Sequence, residues 1–305
     1  MTTSGNGRHI DDDLVRQSYE HCRGVTRREA RNFYYGLKLA PEPRRSALFA
    51  IYAWMRRVDD EADSDAIVEA KRDALERVRE QTERALAGDP PLHADPLWPA
   101  FAHAVATYPI DRAWLDAVFE GMLWDLEGTR CETRTDLDLY CYRVASTVGM
   151  ICVSVWGLED GADRGEALEL AIVRGRAFQL TNVLRDFVED YDRHPRRVYL
   201  PGESFRAAGL KPHELRVWYE PRACEAFLAG WAREASSLYE QSAGLDGMVA
   251  RDCRGVLATM TRIYRGLLDV IERDPARVIR GPRVSVPAVV KARIALSASL
   301  GRSGA

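Results

Sequence analysis

Residues 179–190 read Gln-Leu-Thr-Asn-Val-Leu-Arg-Asp-Phe-Val-Glu-Asp, and their polar side chains recur with the period of an α-helix. Stepping about 100° per residue places Gln179, Asn182, Asp186 and Asp190 within an arc of about 80°. The preceding run, from residue 177 to residue 184, is otherwise apolar. The stretch therefore predicts a helix that carries one polar stripe.

A second stripe of the same kind occurs near the N-terminus, in residues 52–63. Helical spacing places Tyr52, Arg56, Asp59 and Asp63 within an arc of about 60°. Carboxylates four residues apart on a helix repel one another by a few tenths of a kcal/mol, so a repeated D-x-x-x-D pattern needs a compensating charge. A divalent cation is the natural one, which makes these two stripes candidate metal-binding helices.

Magnesium suits this pattern because it prefers oxygen ligands and is usually held by one or two carboxylates together with substrate phosphates. Gln179 and Asn182 strengthen the interpretation, since amides within an apolar run need polar partners. A single D-x-x-x-D pattern is more often a solvated helix face than a metal site. The prediction therefore depends on the repetition of the motif and on the two amides.

Composition and charge exclude several classes of protein. The chain has 305 residues, 46% of them hydrophobic, and a net charge of -3, which gives no global basic field for nucleic acid. Its six cysteines include no C-x-x-C pair, which argues against a zinc site or a disulfide framework. The N-terminus lacks the apolar run of a signal peptide, and no apolar stretch reaches the roughly 20 residues of a spanning helix. We expect a cytoplasmic protein.

Apolar side chains at spacings of three and four predict helices almost throughout. One helix should begin after Pro41 and Pro43. The others fall at about 67–87, 96–107, 111–127, 136–157, 163–191, 222–243, 247–273 and 286–299, with an irregular segment after Tyr191. We predict an all-α fold with a single domain over residues 1–305, frayed at 1–12 and 300–305.

At these residues the sequence resembles the squalene/phytoene synthase family, the head-to-head branch of the isoprenyl diphosphate synthases. The resemblance begins at Asn32-Phe33-Tyr34-Tyr35, passes through the first acidic stretch and includes residues 140–149. It is strongest at residues 179–190, which are followed by Arg197-Val-Tyr199-Leu-Pro201. The resemblance implies a helical bundle of the isoprenoid synthase type, with a central cavity and two Asp motifs that face each other across it.

The resemblance also implies an activity, the 1'-1 condensation of two prenyl diphosphates, farnesyl or geranylgeranyl. The product is a cyclopropylcarbinyl diphosphate, presqualene or prephytoene diphosphate, and diphosphate is released. Onward conversion to squalene, dehydrosqualene or phytoene stays open, and so does the use of NADPH. Two or three Mg²⁺ ions bound together with diphosphate are the expected cofactor.

Residue roles follow from the same resemblance. The implied metal ligands are Asp59, Asp60, Asp63, Asn182, Asp186 and Asp190. The residues implied to act in catalysis are Tyr52, Arg56, Tyr140, Arg185 and Tyr199. Those implied to contact substrate are Phe33, Gln179, Asn182, Arg197 and Tyr264. For the aromatic residues ordinary core packing is the alternative, and for Arg56 it is a salt bridge within its own helix.

The sequence departs from the family pattern at two places, and its motifs disfavour two other functions. Ala30-Arg31-Asn32 stands where many members carry serines, so no serine contact to phosphate is expected there. The eukaryotic squalene synthases end in a membrane anchor that this chain does not show, which leaves only a peripheral contact with the inner face of the membrane for release of an oily product. A class I terpene cyclase is disfavoured by the intact second D-x-x-x-D, and a non-catalytic assembly protein by the presence of both motifs.

Overall fold

The computed structural model describes residues 11–92 and 94–300, apart from the side chains of residues 31, 32, 299 and 300. The predicted fraying falls mostly on residues 1–10 and 301–305, which lie outside the described residues. The Asp11 carboxylate accepts a hydrogen bond from the backbone N–H of Asp13 and caps the first helix.

All regular elements of the described residues are helical, which confirms the predicted all-α class. A single β contact, the isolated bridge between Leu158 and Val249, joins two loops. The helices are α1 Asp12–Glu29, α2 Arg31–Leu37, α3 Arg44–Asp63, α4 Val68–Leu86, α5 Trp98–Thr107, α6 Arg112–Leu126, α7 Arg134–Cys141, α8 Thr147–Trp156, α9 Arg164–Arg185, α10 Phe187–Asp192, α11 Gly202–Ala207, α12 Pro212–Arg216, α13 Pro221–Gln241, α14 Leu245–Met248, α15 Arg254–Arg273, α16 Ala276–Arg280 and α17 Ala288–Leu300.

The structure corrects three of the predicted boundaries. The helix predicted over 163–191 is interrupted at Asp186, whose backbone leaves helical geometry with φ -99° and ψ 7°. The helix predicted from residue 247 begins only at Arg254, after the short α14 and a loop. The segment predicted to be irregular after Tyr191 contains α11 and α12, whose few residues carry too little apolar periodicity to be recognised from the sequence.

Two clusters of buried side chains form the interior. The first core lies among α1, α3, α4, α5, α6 and α8 and includes Trp54 and Phe101. The second lies among α7, α10, α13 and the segment from residue 199 to residue 218. Helices α9 and α15 contribute to both, and the rings of Phe33 and Phe178 pack against both. Polar groups on α9 and α15 are thereby held at the boundary between two rigid cores.

A π-helical turn, Tyr142–Ser146, joins α7 to α8 and packs closely on two neighbouring helices. A Cβ atom added to Gly175 of α9 would lie 2.6 Å from the Cα atom of Ser146. The Ser146 hydroxyl donates a hydrogen bond of 2.8 Å to the carbonyl oxygen of Ile172, also in α9. Glycine is needed here because the two backbones leave no room for a side chain.

In contrast to the expectation from the sequence, one helical stretch of the described residues, from Arg134 to Trp156, has the length and composition to span a membrane. Of its most apolar window, 61% is buried inside the protein. The core helix of a soluble protein meets the same criteria, so this run is weak evidence for a membrane span.

The close contact at the π-helical turn predicts the effect of a single methyl group. Replacing Gly175 by Ala should lower the free energy of unfolding by about 1–3 kcal/mol, because backbone atoms of residues 145 and 146 must move. Gly230 of α13 is the matched control, since a Cβ atom there meets nothing within 4 Å. Replacing Gly230 by Ala should instead raise helix stability by about 0.5–1 kcal/mol. Urea unfolding of both variants measures the difference, and equal midpoints would contradict the packing argument.

Candidate active site

A buried carboxylate, Asp125 in the last turn of α6, lies at the centre of the candidate site and is only 8% exposed. It accepts hydrogen bonds from the hydroxyls of Tyr199, at 2.8 Å, and Tyr140, at 3.3 Å. The two tyrosine rings stack with centroids 4.4 Å apart. Asp125 therefore fixes the rings of Tyr140 and Tyr199, two of the residues that the family resemblance implied to act in catalysis.

The pKa values around Asp125 follow from its burial. Burial raises the pKa of Asp125 above its ordinary value, although Arg197 and the two tyrosine hydrogen bonds oppose the shift. Burial and the nearby Asp125 charge also raise the pKa of Tyr140 and Tyr199 far above the ordinary value of a phenol. Both tyrosines consequently remain protonated and act as hydrogen-bond donors over the whole physiological pH range.

Arg197 connects the two predicted Asp motifs. One of its terminal nitrogens, Nη2, lies 3.7 Å from a carboxylate oxygen of Asp63, and the other, Nη1, lies 3.7 Å from Asp125. Its backbone N–H donates to the carbonyl oxygen of Asp190 at 2.9 Å. Arg193 adds a shorter ion pair of 2.6 Å to Asp63. The end of α3 is thus joined to the segment that directly follows α10.

The first Asp motif, Asp59, Asp60 and Asp63, occupies the last two turns of α3. Arg56 donates to Asp59 at 3.1 Å and also forms an ion pair with Asp60. Asp59 keeps 46% of its side-chain surface exposed, yet burial and the nearby Asp63 raise its pKa to about 6. The Asp59 carboxylate is thus accessible to solvent and at the same time surrounded by protein atoms. This combination places it on a concave surface.

Tyr52 lies one turn before Arg56 on the same helix, as the predicted stripe requires. Burial raises the pKa of Tyr52 to about 12, so its hydroxyl is neutral. Among the charged groups around it, Arg56 and Asp59 have the largest effects on its pKa, and these oppose each other and are smaller than that of burial. The structure therefore keeps Tyr52 with the first motif.

The second Asp motif, Asp186 and Asp190 with Asn182, spans the break between α9 and α10. Arg185 pairs with both carboxylate oxygens of Asp186, at 2.7 and 2.5 Å. Arg283, from the loop after α16, donates to Asp186 at 2.8 Å and lies 3.0 Å from Glu189. The Asp186 carboxylate is thus held by two arginines at the point where the helix is interrupted.

The two carboxylates of the second motif differ in their protonation behaviour. Burial would raise the pKa of Asp186, but hydrogen bonds from Arg185 and Arg283 outweigh it and leave that pKa below its ordinary value. Asp190 forms no such pair with any residue that the structure describes, and burial together with the Asp186 charge raises its pKa to about 7, although Arg197 and Arg193 oppose the shift. Asp190 is therefore the carboxylate of this motif that most lacks positive charge.

The two amides of the second stripe meet as the helical spacing predicts. The side-chain NH₂ of Asn182 donates to the Gln179 carbonyl oxygen at 3.3 Å. The Asn182 carbonyl oxygen, Oδ1, is buried and accepts no hydrogen bond from the described part of the chain. An unsatisfied buried acceptor is costly, so this oxygen is available to a cation or to a bound water.

Aromatic rings close the side of the site next to the second motif. Tyr264 of α15 lies with its ring centroid 4.7 Å from that of Phe178 and 5.8 Å from that of Phe33. Burial raises the pKa of Tyr264, while the neighbouring Arg185 and Asn182 partly offset the shift. These three rings form an apolar wall with one polar hydroxyl.

The donor set fits magnesium that shares its ligands with phosphate. Among the described residues, no three His, Cys, Asp or Glu side chains lie close enough together to hold an ion by themselves. The available ligands are carboxylate oxygens and the unsatisfied Oδ1 atom of Asn182, which are the oxygen ligands that Mg²⁺ prefers. Because Mg²⁺ is usually bound by few protein ligands, phosphate oxygens and water can complete the shell.

Sequence reasoning missed four residues of this site, namely Asp125, Phe178, Arg193 and Arg283. Asp125 shares α6 with Asp116 and Glu120, and no pattern in the sequence distinguishes the buried acid from the other two. Arg193 and Arg283 are two of 43 Lys and Arg residues, and they reach the motifs from loops. Phe178 lies next to Gln179 and could have been noticed from that position.

Comparison with known proteins gives an independent result. The family model described as squalene/phytoene synthase matches residues 26–289. The 15-cis-phytoene synthase of Synechococcus elongatus is 34% identical over 279 residues, which cover 89% of each chain. The phytoene synthase of Mycobacterium tuberculosis is 32% identical over 287 residues, which cover 93% of this chain and 91% of that protein.

Two solved structures share the fold. A dehydrosqualene synthase superposes with a TM-score of 0.78 at 24% identity, over 96% of this chain and 99% of the other. The squalene synthase HpnC of Alicyclobacillus acidocaldarius has a TM-score of 0.76 at 24% identity, over 87% of this chain and 96% of the other.

These matches confirm the predicted family, the predicted fold and the predicted class of enzyme. Proteins of this family use a divalent metal with diphosphate substrates. The chain belongs to the squalene/phytoene synthase family and is a prenyltransferase that condenses prenyl diphosphates head to head.

Proposed function

We propose that this prenyltransferase joins two geranylgeranyl diphosphates and carries the prephytoene diphosphate intermediate on to phytoene. The choice of the longer substrate is supported by relatives that are named phytoene synthases at 34% and 32% identity. A common site for both Asp motifs is supported by Arg197, whose side chain lies 3.7 Å from Asp63 and whose backbone N–H donates to the carbonyl oxygen of Asp190. The alternative is a reaction in which farnesyl diphosphate is the substrate and presqualene diphosphate is the intermediate.

On one side of this site, magnesium would be held by Asp59, Asp60 and Asp63. On the other side, it would be held by Asn182, Asp186 and Asp190. Two or three ions, each sharing phosphate oxygens, would neutralise the charge that develops on a departing diphosphate. The available donors support this assignment. They include the unsatisfied amide oxygen of Asn182 and the carboxylates of Asp59 and Asp190, whose pKa values are raised to about 6 and about 7.

The arginines of the site are suited to bind the diphosphates. Arg56, Arg185 and Arg197 each already contact a carboxylate of the site, and Arg193 and Arg283 reach the same motifs from loops. A guanidinium group pairs with phosphate oxygens as readily as with a carboxylate. In the loaded enzyme we therefore assign these five side chains to the negative charge of the substrates, with Gln179 as a further polar contact.

Aromatic side chains would stabilise the carbocation that ionisation creates. The C–O bond to one diphosphate breaks, the double bond of the second substrate attacks the allylic cation, and loss of a proton closes the cyclopropane ring. Ring faces attract positive charge without reacting with it. Asp125 keeps the rings of Tyr140 and Tyr199 fixed. The side chains that supply such faces are Tyr52, Tyr140, Tyr199, Phe33, Phe178 and Tyr264.

We place the protein in the cytoplasm with a peripheral contact at the inner membrane face, because the product is a hydrocarbon that partitions into lipid. A reductant is required only if the central bond of the product is reduced, as in squalene. Phytoene retains a double bond there, so this endpoint predicts activity without NADPH.

The proposal is tested by product analysis. Purified protein is incubated with farnesyl or geranylgeranyl diphosphate, with Mg²⁺ or EDTA and with or without NADPH, and the products are identified by mass spectrometry. We expect phytoene from geranylgeranyl diphosphate in Mg²⁺, at equal yield with and without NADPH, and no product in EDTA. Equal product formation in EDTA would contradict the metal mechanism, and a preference for farnesyl diphosphate would contradict the chain length.

Each Asp motif can be tested by one substitution. Asp59→Asn and Asp186→Asn each remove a charge from one motif, and each should lower kcat by about two to three orders of magnitude. Asp73→Asn in α4, at an exposed position outside the site, is the control for loss of one charge. Circular dichroism should show an unchanged helical fold in all three. Full activity in either motif variant would remove that motif from the site.

The raised pKa of Asp190 predicts how stability depends on pH in the absence of metal. The folded state binds a proton more tightly than the unfolded state, so the ionised carboxylate costs stability as the pH rises from about 4 to about 7. Asp190→Asn should therefore raise Tm in EDTA at pH 8 by at least about 2 °C and leave it nearly unchanged at pH 4.

Asp192 provides the control because its pKa is lowered by a hydrogen bond from Arg216. Asp192→Asn should not raise Tm at pH 8. If the Tm of Asp190→Asn at pH 8 is below that of the unmodified protein, the ionised Asp190 carboxylate stabilises the fold. That result would contradict the predicted cost of its ionisation. Thermal unfolding followed by circular dichroism at both pH values measures the difference.

A further inference from the structure

A cleft of about 700 Å³ opens behind the candidate active site. Its walls come from the connection between α6 and α7, from the segment that precedes α11, and from α11 and α12 themselves. Its inner wall includes Asp125, Arg197 and Tyr199, which also belong to the active site. The cleft and the active site thus share one wall.

The cleft is strongly basic although the chain as a whole has a net charge of -3. The cationic side chains that line it are Arg130, Arg196, Arg197, Arg206 and Lys211, with His213 beside them. Its two carboxylates, Asp125 and Glu132, are already held by Arg197 and Arg206. Three positive charges are left over in a concave space, which concentrates anions.

The surplus charge is not neutralised by the acids that line the cleft, and Asp192, whose pKa Arg196 helps to lower, lies outside the lining. Arg130, Arg196 and Lys211 form no ion pair within the described part of the chain. Arg196 is nevertheless fixed, because its guanidinium stacks 4.0 Å from the ring centroid of Tyr191 and donates to the Tyr191 carbonyl oxygen. A positioned cation without a carboxylate partner is available to an external anion.

We propose that this cleft is a second anion site, which binds a diphosphate group outside the metal site. The shared wall supports this choice of anion. Arg197 contacts Asp63 and Asp125 inside the active site and lines the cleft, so a diphosphate released there has cationic contacts on both sides of the wall. The proposal rests on the proposed function in one respect only, the origin of the ligand. Each condensation releases diphosphate, which is the ligand proposed for the cleft.

Two sources can supply the same group. One is the free diphosphate that the reaction releases, and the other is a nucleotide that carries a diphosphate bridge. The volume of the cleft lies within the range of roughly 300–1,000 Å³ that is usual for small-molecule sites, so it accommodates either.

Binding of inorganic diphosphate in EDTA tests the proposal, because EDTA removes any binding that depends on metal at the Asp motifs. Isothermal titration calorimetry on the full chain should detect binding, and the double variant Arg130→Ala/Lys211→Ala should weaken it by about tenfold or more. The double variant Lys71→Ala/Arg77→Ala loses the same two charges from α4, and it should bind like the unmodified protein.

A second measurement separates this proposal from the proposed function. Asp59→Asn/Asp186→Asn, which should lack activity, is expected to keep the binding in EDTA. If NADPH binds more tightly than diphosphate and the variant Arg130→Ala/Lys211→Ala loses the binding of NADPH, the cleft is assigned to a nucleotide. Absence of binding in EDTA, or equal binding by the two charge-matched double variants, would overturn the second site whatever the catalytic assay shows.

Discussion

The burial of one carboxylate, Asp125, is the constraint on which the site depends. A charged group removed from water is costly unless hydrogen bonds and an opposite charge replace its hydration. Tyr140 supplies one of these contacts from α7, and Arg197 and Tyr199 supply the others from the segment that follows α10. The same contacts stack two tyrosine rings and fix the segment that follows the second Asp motif. Removal of Asp125 would leave all three partners without their common acceptor.

Arginines of the protein itself compensate the charges of the two Asp motifs, but they do so unequally. Asp186 is fully paired and has a lowered pKa, whereas Asp59 and Asp190 are poorly compensated and have raised pKa values. Such a distribution costs stability in the absence of cations, which is common for binding sites. It also explains why arginines and carboxylates are so closely mixed here, because the arginines can pair with acids now and with phosphate when substrate is present.

The position of the site follows from the packing. Helices α9 and α15 run from the first core into the second, and the rings of Phe33 and Phe178 contact both. Close backbone contact at Gly175 holds α9 against the π-helical turn. The site is consequently supported by two packed cores, and it shares Asp125 and Tyr199 with the basic cleft.

The sequence by itself determined the helical class, most long helices, the two polar stripes and the family, since helical periodicity and motif order are local properties of the chain. Helical spacing correctly grouped Tyr52, Arg56, Asp59 and Asp63, and it paired Gln179 with Asn182. Only the tertiary structure decided that Asp125 is the buried acid of α6, that Arg193 and Arg283 reach the motifs, and that the helix is interrupted at Asp186. These features depend on contacts between residues up to 130 positions apart, and no periodicity within one helix records them.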